Sequence, residues 1–195
     1  MGKVFAELSV SLDGFIAGPN VTVGNGMGDG GERLHEWMFP SDGSRDRSVE
    51  ARKKMFGSSG AVVVGRRMFD VGVKPWGENP PFHMPVFVVT HRAGDPIVKQ
   101  GGTTYHFVTG GIEPALDRAR AAAGERDVVL LGGADVIRQF VRADLIDELR
   151  IHLVPVLLGD GTRLFERMGR EHIELECTRV TGAPEVAHLT FRVAK

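Results

Sequence analysis

Apolar and polar residues alternate from the start of the chain. Val4, Ala6, Leu8, Val10 and Leu12 are separated by Phe5, Glu7, Ser9 and Ser11. That period of two predicts a half-buried first strand whose polar edge faces something wet. Between Asp13 and Gly31 come Gly14, Gly18, Gly24, Gly26, Gly28 and Gly30, which predict a long loop. A loop of that length in a compact domain is functional or mobile. Residues 31–39 read as a short helix closed by Pro40, and residues 47–56 as a second. Residues 61–64 form an unbroken apolar strand that runs into Gly65, Arg66 and Arg67 and a helical stretch. Further strands are predicted over 85–90 and 104–108, then a helix over 113–123. An apolar strand over 127–131 meets Gly132-Gly133, and Val136, Ile137, Phe140 and Val141 then recur at helical spacing. Residues 145–155 alternate again, and two strands, 173–180 and 186–193, close the chain around a turn at Gly182-Ala183-Pro184.

Strands that alternate with helices and then follow one another predict an α/β fold, with a mostly parallel sheet, an antiparallel C-terminal edge and flanking helices. At 195 residues with 42% hydrophobic content, one core suffices and residues 1–195 read as a single domain. The formal charge is -1 without a long run of either sign, which points away from nucleic acid and membrane surfaces and toward a small molecule. Cys177 is the single cysteine, so no internal disulfide and no cysteine-type zinc cluster can form. The first residues lack the apolar core of a signal peptide, and no apolar run is long enough to cross a bilayer. A soluble, cytoplasmic protein is expected.

Three predicted strand ends carry anion-binding chemistry. Gly132-Gly133 lets the backbone approach a ligand closely at a helix start, where free amides favour an anion such as a dinucleotide pyrophosphate. A Gly-Gly pair alone would more often serve only a tight turn. Arg66 and Arg67 follow the strand ending at Gly65, and guanidinium groups bind phosphate in a bidentate fork. Thr90-His91-Arg92 repeats the theme beyond the strand over 85–90. Together these segments read as one elongated, nucleotide-type ligand lying across the strand ends of a sheet.

Other motifs fall away. Gly26, Gly28 and Gly31 match GxGxxG, but no buried strand precedes them, so they read as a flexible flap over a site. No two of the seven histidines lie three or four apart, so no metal site is expected. No serine sits on the sharp elbow of a hydrolase nucleophile.

SLDGFIAG (11–18), VVVGRRMFD (62–70), PVFVVTHR (85–92), LLGGADVI (130–137) and LIDELRIHLVPVLLGDGTRLF (145–165) occur in an order that resembles the dihydrofolate reductase superfamily. Its branch with the C-terminal reductase domain of bifunctional riboflavin-biosynthesis proteins is the nearest. The resemblance implies a dihydrofolate reductase-like sheet and NADPH as hydride donor. It sets Ser9 and Ile16 near the nicotinamide and Gly132, Gly133, Ala134 and Asp135 at the pyrophosphate. Gly65, Arg66, Arg67 and Met68 fall at the phosphates and adenosine side, and Thr90, His91 and Arg92 near the ribose phosphate. By likeness to the carboxylate that grips a pterin ring, Glu36 is the catalytic candidate and Trp37 its substrate-side neighbour, although residues 41–60 look like an insertion. The implied activity is reduction of a small heterocycle, with 5-amino-6-(5-phosphoribosylamino)uracil reduction the nearest chemistry. A dihydrofolate or pteridine reductase and a non-catalytic nucleotide-binding module are the alternatives. The strand over 145–155 and Leu157-Leu158 look apolar enough to join two subunits, and a homodimer is expected.

Overall fold

The computed structural model describes residues 2–38, 56–169 and 172–194. The helix expected over 47–56 and most of the stretch read as an insertion lie outside the described residues. Eleven strands are present among those described: β1 (Val4–Ser11), β2 (Phe15–Ala17), β3 (Ser59–Gly65), β4 (Pro85–Val89), β5 (Ile97–Val98), β6 (Thr104–Val108), β7 (Asp127–Gly132), β8 (Glu148–Val154), β9 (Thr162–Arg163), β10 (Leu175–Ala183) and β11 (Val186–Val193). The α-helices are α1 (Arg66–Trp76), α2 (Ile112–Ala123) and α3 (Ala134–Arg142). Nine strands make one sheet in the order β10-β11-β8-β1-β7-β3-β4-β6-β5. The pairings from β8 across to β6 are parallel; those of β11 with β8, β10 with β11, and β5 with β6 are antiparallel.

Helices cover both faces. On one side α2 and α3 set Leu116, Ile137 and Phe140 against Val4, Ala6, Leu8, Val63 and Leu130. On the other, Phe69 of α1 packs with Phe5, Val62, Val64, Phe82 and Tyr105. Burying an apolar side chain of this size from water is worth about 1.5–3 kcal/mol, so the central strands hold the fold.

Several expectations need correction. β1 is not half-buried: all eight of its residues are buried. Sitting between β8 and β7, it has a core on both faces, and its polar residues face other protein groups rather than bulk water. The loop after Asp13 is interrupted by β2, which pairs with β9, a strand the alternation was too short to reveal. In place of the short helix expected there, residues 31–38 form two 3₁₀ turns, Gly31–Leu34 and Glu36–Met38. β8 lies inside the sheet between β1 and β11, and of the apolar residues expected at a subunit contact Leu157, just beyond it, is exposed. Ala183 pairs with Val186, which moves the last turn to Pro184-Glu185. None of the described helices is long and apolar enough to cross a membrane.

Candidate active site at the strand ends of the sheet

β7, β3 and β4 are adjacent and parallel, so their C-terminal ends emerge side by side. The three segments singled out by sequence therefore meet at one edge. Gly65 is the N-cap of α1 and Gly133 the N-cap of α3, and neither cap makes a side-chain hydrogen bond. The first amides of both helices are thus left for a ligand or water. A Cβ on Gly65 would fall 3.0 Å from Val136 Cγ2 and 3.2 Å from the Gly133 nitrogen, so the two turns abut only because residue 65 is glycine. Gly132 has φ 124 and faces Met68, whose sulfur would lie 3.4 Å from an added Cβ. The Gly132–Gly133 peptide is cis. Among the described residues, a Cβ on Gly133 would meet nothing within 4 Å, so this backbone is bare. The fit to a pyrophosphate rests on that bare backbone beside two helix starts.

The cationic residues divide into anchored and exposed ones. Arg66 Nε donates to Asp70 Oδ1 at 2.7 Å, and its guanidinium lies 5.7 Å and 5.6 Å from the Phe69 and Phe107 ring centres. Arg67 donates to the Val21 carbonyl at 3.3 Å, tying the Gly-rich loop to α1. Thr90 is buried, receives the Arg92 amide on its hydroxyl at 3.1 Å, and leaves His91 and Arg92 exposed at the end of β4. Ala134 is buried at the start of α3, and Asp135 is exposed with its carboxylate on the Gln139 amide at 2.7 Å.

A second polar set, which the sequence reading missed, lies on one face of β1, β8 and β11. Register places Glu7 beside Arg150, and Ser9 beside His152, which is itself opposite His188. His152 Nε2 is 3.2 Å from Glu7 Oε1, and His152 Nδ1 is 2.8 Å from His188 Nδ1. Glu7 Oε2 is buried without a hydrogen-bond partner among the described residues, 3.6 Å from Arg150. Trp37 closes over this set: its Nε1 donates to Ser9 Oγ at 3.0 Å, and its ring centre is 4.8 Å from that of His152 and 5.1 Å from that of His188. Next to it, burial first and the nearby His152 second hold the His35 imidazole down to about 4. The period-two placement of Glu7 and Ser9 in β1, Arg150 and His152 in β8, and His188 in β11 was the available signal. It could be read only once those strands were known to be neighbours.

The structure thus joins Ser9 to Trp37. It sets Glu36 apart, exposed and ion-paired with Arg33. Ile16 packs against the core on the α2–α3 side. Asp13 serves as a staple: it accepts the Ser11 hydroxyl at 2.6 Å and the Leu158 and Gly159 amides at 3.2 and 2.7 Å, and these bonds, the serine's foremost, hold its carboxyl down to about 2.

The mostly parallel sheet with an antiparallel edge and flanking helices is the dihydrofolate reductase-like α/β fold seen in solved structures. Solved structures agree over the whole chain. A putative riboflavin biosynthesis protein from Shewanella sp. PV-4 superposes with a TM-score of 0.74 at 23% identity, covering 99% of both chains. Dihydrofolate reductase from Enterococcus faecalis gives 0.59 at 14% identity, covering 100% of this chain and 98% of that one. RibD of Acinetobacter baumannii gives 0.66 at 15% identity, and here the chain spans 59% of the larger protein. The sequence model of the RibD C-terminal domain matches residues 2–189, and the chain belongs to that family. The uncharacterized Bacillus subtilis protein YyaP is 26% identical over 171 residues, 84% of this chain and 80% of the relative.

Proposed function

We propose that the chain is a reductase that uses NADPH to reduce a small heterocyclic or imine-like substrate. Reduction of 5-amino-6-(5-phosphoribosylamino)uracil, as in riboflavin biosynthesis, is the nearest chemistry. The observation that carries this reading is the convergence of Gly132-Gly133, Gly65-Arg66-Arg67 and Thr90-His91-Arg92 at three adjacent strand ends. Family membership and likeness to riboflavin-biosynthesis proteins and to a dihydrofolate reductase complexed with NADP(H) support it.

In this reading the bare turn at Gly132 and Gly133, with the amides of Ala134 and Asp135, would hold the pyrophosphate. Arg66, Arg67 and Met68 would flank the phosphates and adenosine side, and Thr90, His91 and Arg92 the ribose phosphate. Ser9 and Ile16 would border the nicotinamide, and Trp37 would offer a ring face to the substrate, with Glu36 as the carboxylate taken from likeness to pterin reductases. When bound, the reduced nicotinamide supplies the hydride; the chain's own residues orient the reactants and shape the field around them. A cytoplasmic location suits such a cofactor.

A ribose phosphate needs cations that a bare ribose hydroxyl does not. Replacing Arg66 and Arg92 together by alanine is expected to weaken NADPH binding more than NADH binding, by roughly tenfold in the ratio of the two affinities, since NADH lacks the ribose phosphate. Titration of both cofactors into the variant checks this, and an unchanged affinity ratio would show that the arginines do not read the ribose phosphate.

We also propose a homodimer, with the contact moved from β8 to the C-terminal hairpin. β10 is an edge strand exposed along all nine residues, with apolar Leu175 and Val180 among them. Light scattering should give twice the chain mass, and Val180→Lys should reduce it to one chain. A single-chain mass for the unaltered protein would remove the proposal.

A further inference from the structure

The geometry points to a proton relay, Glu7–His152–His188, that delivers the proton required by the reduction. This rests on the reductase reading above. Adding hydride to the carbon of a C=N bond leaves the π electron pair on nitrogen, which must then take up a proton. Three features single out this line of residues as the source.

The spacing is right for proton transfer. His152 contacts Glu7 through Nε2 at 3.2 Å and His188 through Nδ1 at 2.8 Å, so both of its ring nitrogens are engaged in one continuous chain. Only one Nδ1 of the facing pair can be the donor, and a proton can therefore pass between the rings without either moving. Location is equally suggestive. Glu7 and His152 are buried, whereas His188 is half-exposed, so the chain runs from the interior of the sheet toward its surface. Trp37, the substrate-side candidate, contacts both imidazoles, which sets His188 beside the residue proposed to face the substrate. Finally, the surroundings favour relay over metal binding, since among the described residues no three His, Cys, Asp or Glu side chains could hold a metal ion.

The step balances as follows. With one extra proton on the imidazole pair, His188 Nε2–H gives its proton to the substrate nitrogen. His188 Nδ1 takes the proton from His152 Nδ1, and His152 keeps its Nε2–H on Glu7. The pair ends neutral, and solvent returns one proton through His188. In this scheme His188 touches the substrate and is the catalytic residue. Glu7 and His152 are positioning residues that orient and charge it, much as a carboxylate holds a histidine in other acid–base sites. The charged and titratable groups facing His152 are Glu7 on β1, Arg150 on β8, His188 on β11, and His35 between the two 3₁₀ turns.

The test pairs a structural readout with a kinetic one. Imidazole nitrogen signals of the unaltered protein, followed by NMR against pH, should show His152 and His188 titrating as a coupled pair. In Glu7→Gln the midpoint of that titration should move to lower pH. Two independent titrations, both unmoved by E7Q, would overturn the relay without any substrate being known. Once turnover is measured, His188→Gln should lower kcat by roughly 100-fold. It should also remove the fall in rate at high pH, while E7Q moves that fall downward. Unaltered kcat and pH profile in H188Q would equally overturn the relay. NADPH titration of both variants keeps the two ideas separate: normal binding with an uncoupled pair sinks the relay alone, whereas a coupled pair in a protein that binds no NADPH sinks the reductase reading.

Discussion

Replacing Gly133 by alanine is expected to leave the fold intact and to weaken NADPH binding by roughly tenfold to 100-fold. Residue 133 has φ -73 and ψ -178, an extended backbone open to any residue, and its added Cβ meets no atom of the described residues within 4 Å. The stability change should accordingly stay within about 0.5 kcal/mol. The methyl group would instead stand where a phosphate must approach the first amides of α3, stretching charge-assisted hydrogen bonds worth about 1.5–3 kcal/mol each. Gly65→Ala is the informative contrast. Its Cβ would press on Val136 and on the Gly133 backbone, so that variant should lose thermal stability as well as binding. Thermal unfolding and cofactor titration on both variants separate the two effects. G133A binding NADPH as well as the unaltered protein would mean that the pyrophosphate does not lie on this turn.

Acidification from pH 6.5 to 4 should cost the fold up to about 3 kcal/mol through His35. As a residue His35 is only partly covered, but its Nδ1 is fully buried with no hydrogen-bond partner among the described residues, and burial holds the ring down to about 4 against an ordinary value of 6.5. Between those two values the unfolded chain binds a proton that the folded chain refuses. His35's contribution is therefore complete above pH 6.5 and is lost as pH falls toward 4. His106 is also lowered, by burial and then by Arg118, and acts in the same direction, so the full curve contains both. His35→Phe, which cannot titrate, isolates the larger part. Urea unfolding at several pH values should give a visibly flatter curve for this variant, and an identical slope would show that His35 is already solvated in the folded chain.

Much of the scaffold was legible in sequence because its signals are local. Ala61 to Val64 and Val128 to Leu131 are apolar runs at strand length, and the spacing of Val136, Ile137, Phe140 and Val141 matches the buried face of α3. The proposed ligand edge was legible for the same reason: each glycine or arginine follows its own strand closely. What sequence could not supply was adjacency. Glu7, His152 and His188 lie far apart in the chain and become neighbours only through the order β11-β8-β1. β1 read as half-buried because period two reports the alternation of side chains, and a strand with a polar but protein-covered face alternates as an exposed one does. Short pairings such as β2 with β9 leave too few residues for any period. Glu36 was chosen by likeness to a helix that is replaced here by 3₁₀ turns, with its carboxylate turned to Arg33. The buried carboxylate of this region is Glu7.

The central claim is that three adjacent strand ends form a site for a phosphorylated dinucleotide. Calorimetric titration of the purified protein with NADPH and then NADH, at matched salt because exposed phosphate contacts are screened, tests it most directly. Tight binding of NADPH with clearly weaker binding of NADH is the predicted result. Binding of neither would leave the fold standing and contradict the assignment of this edge to the cofactor.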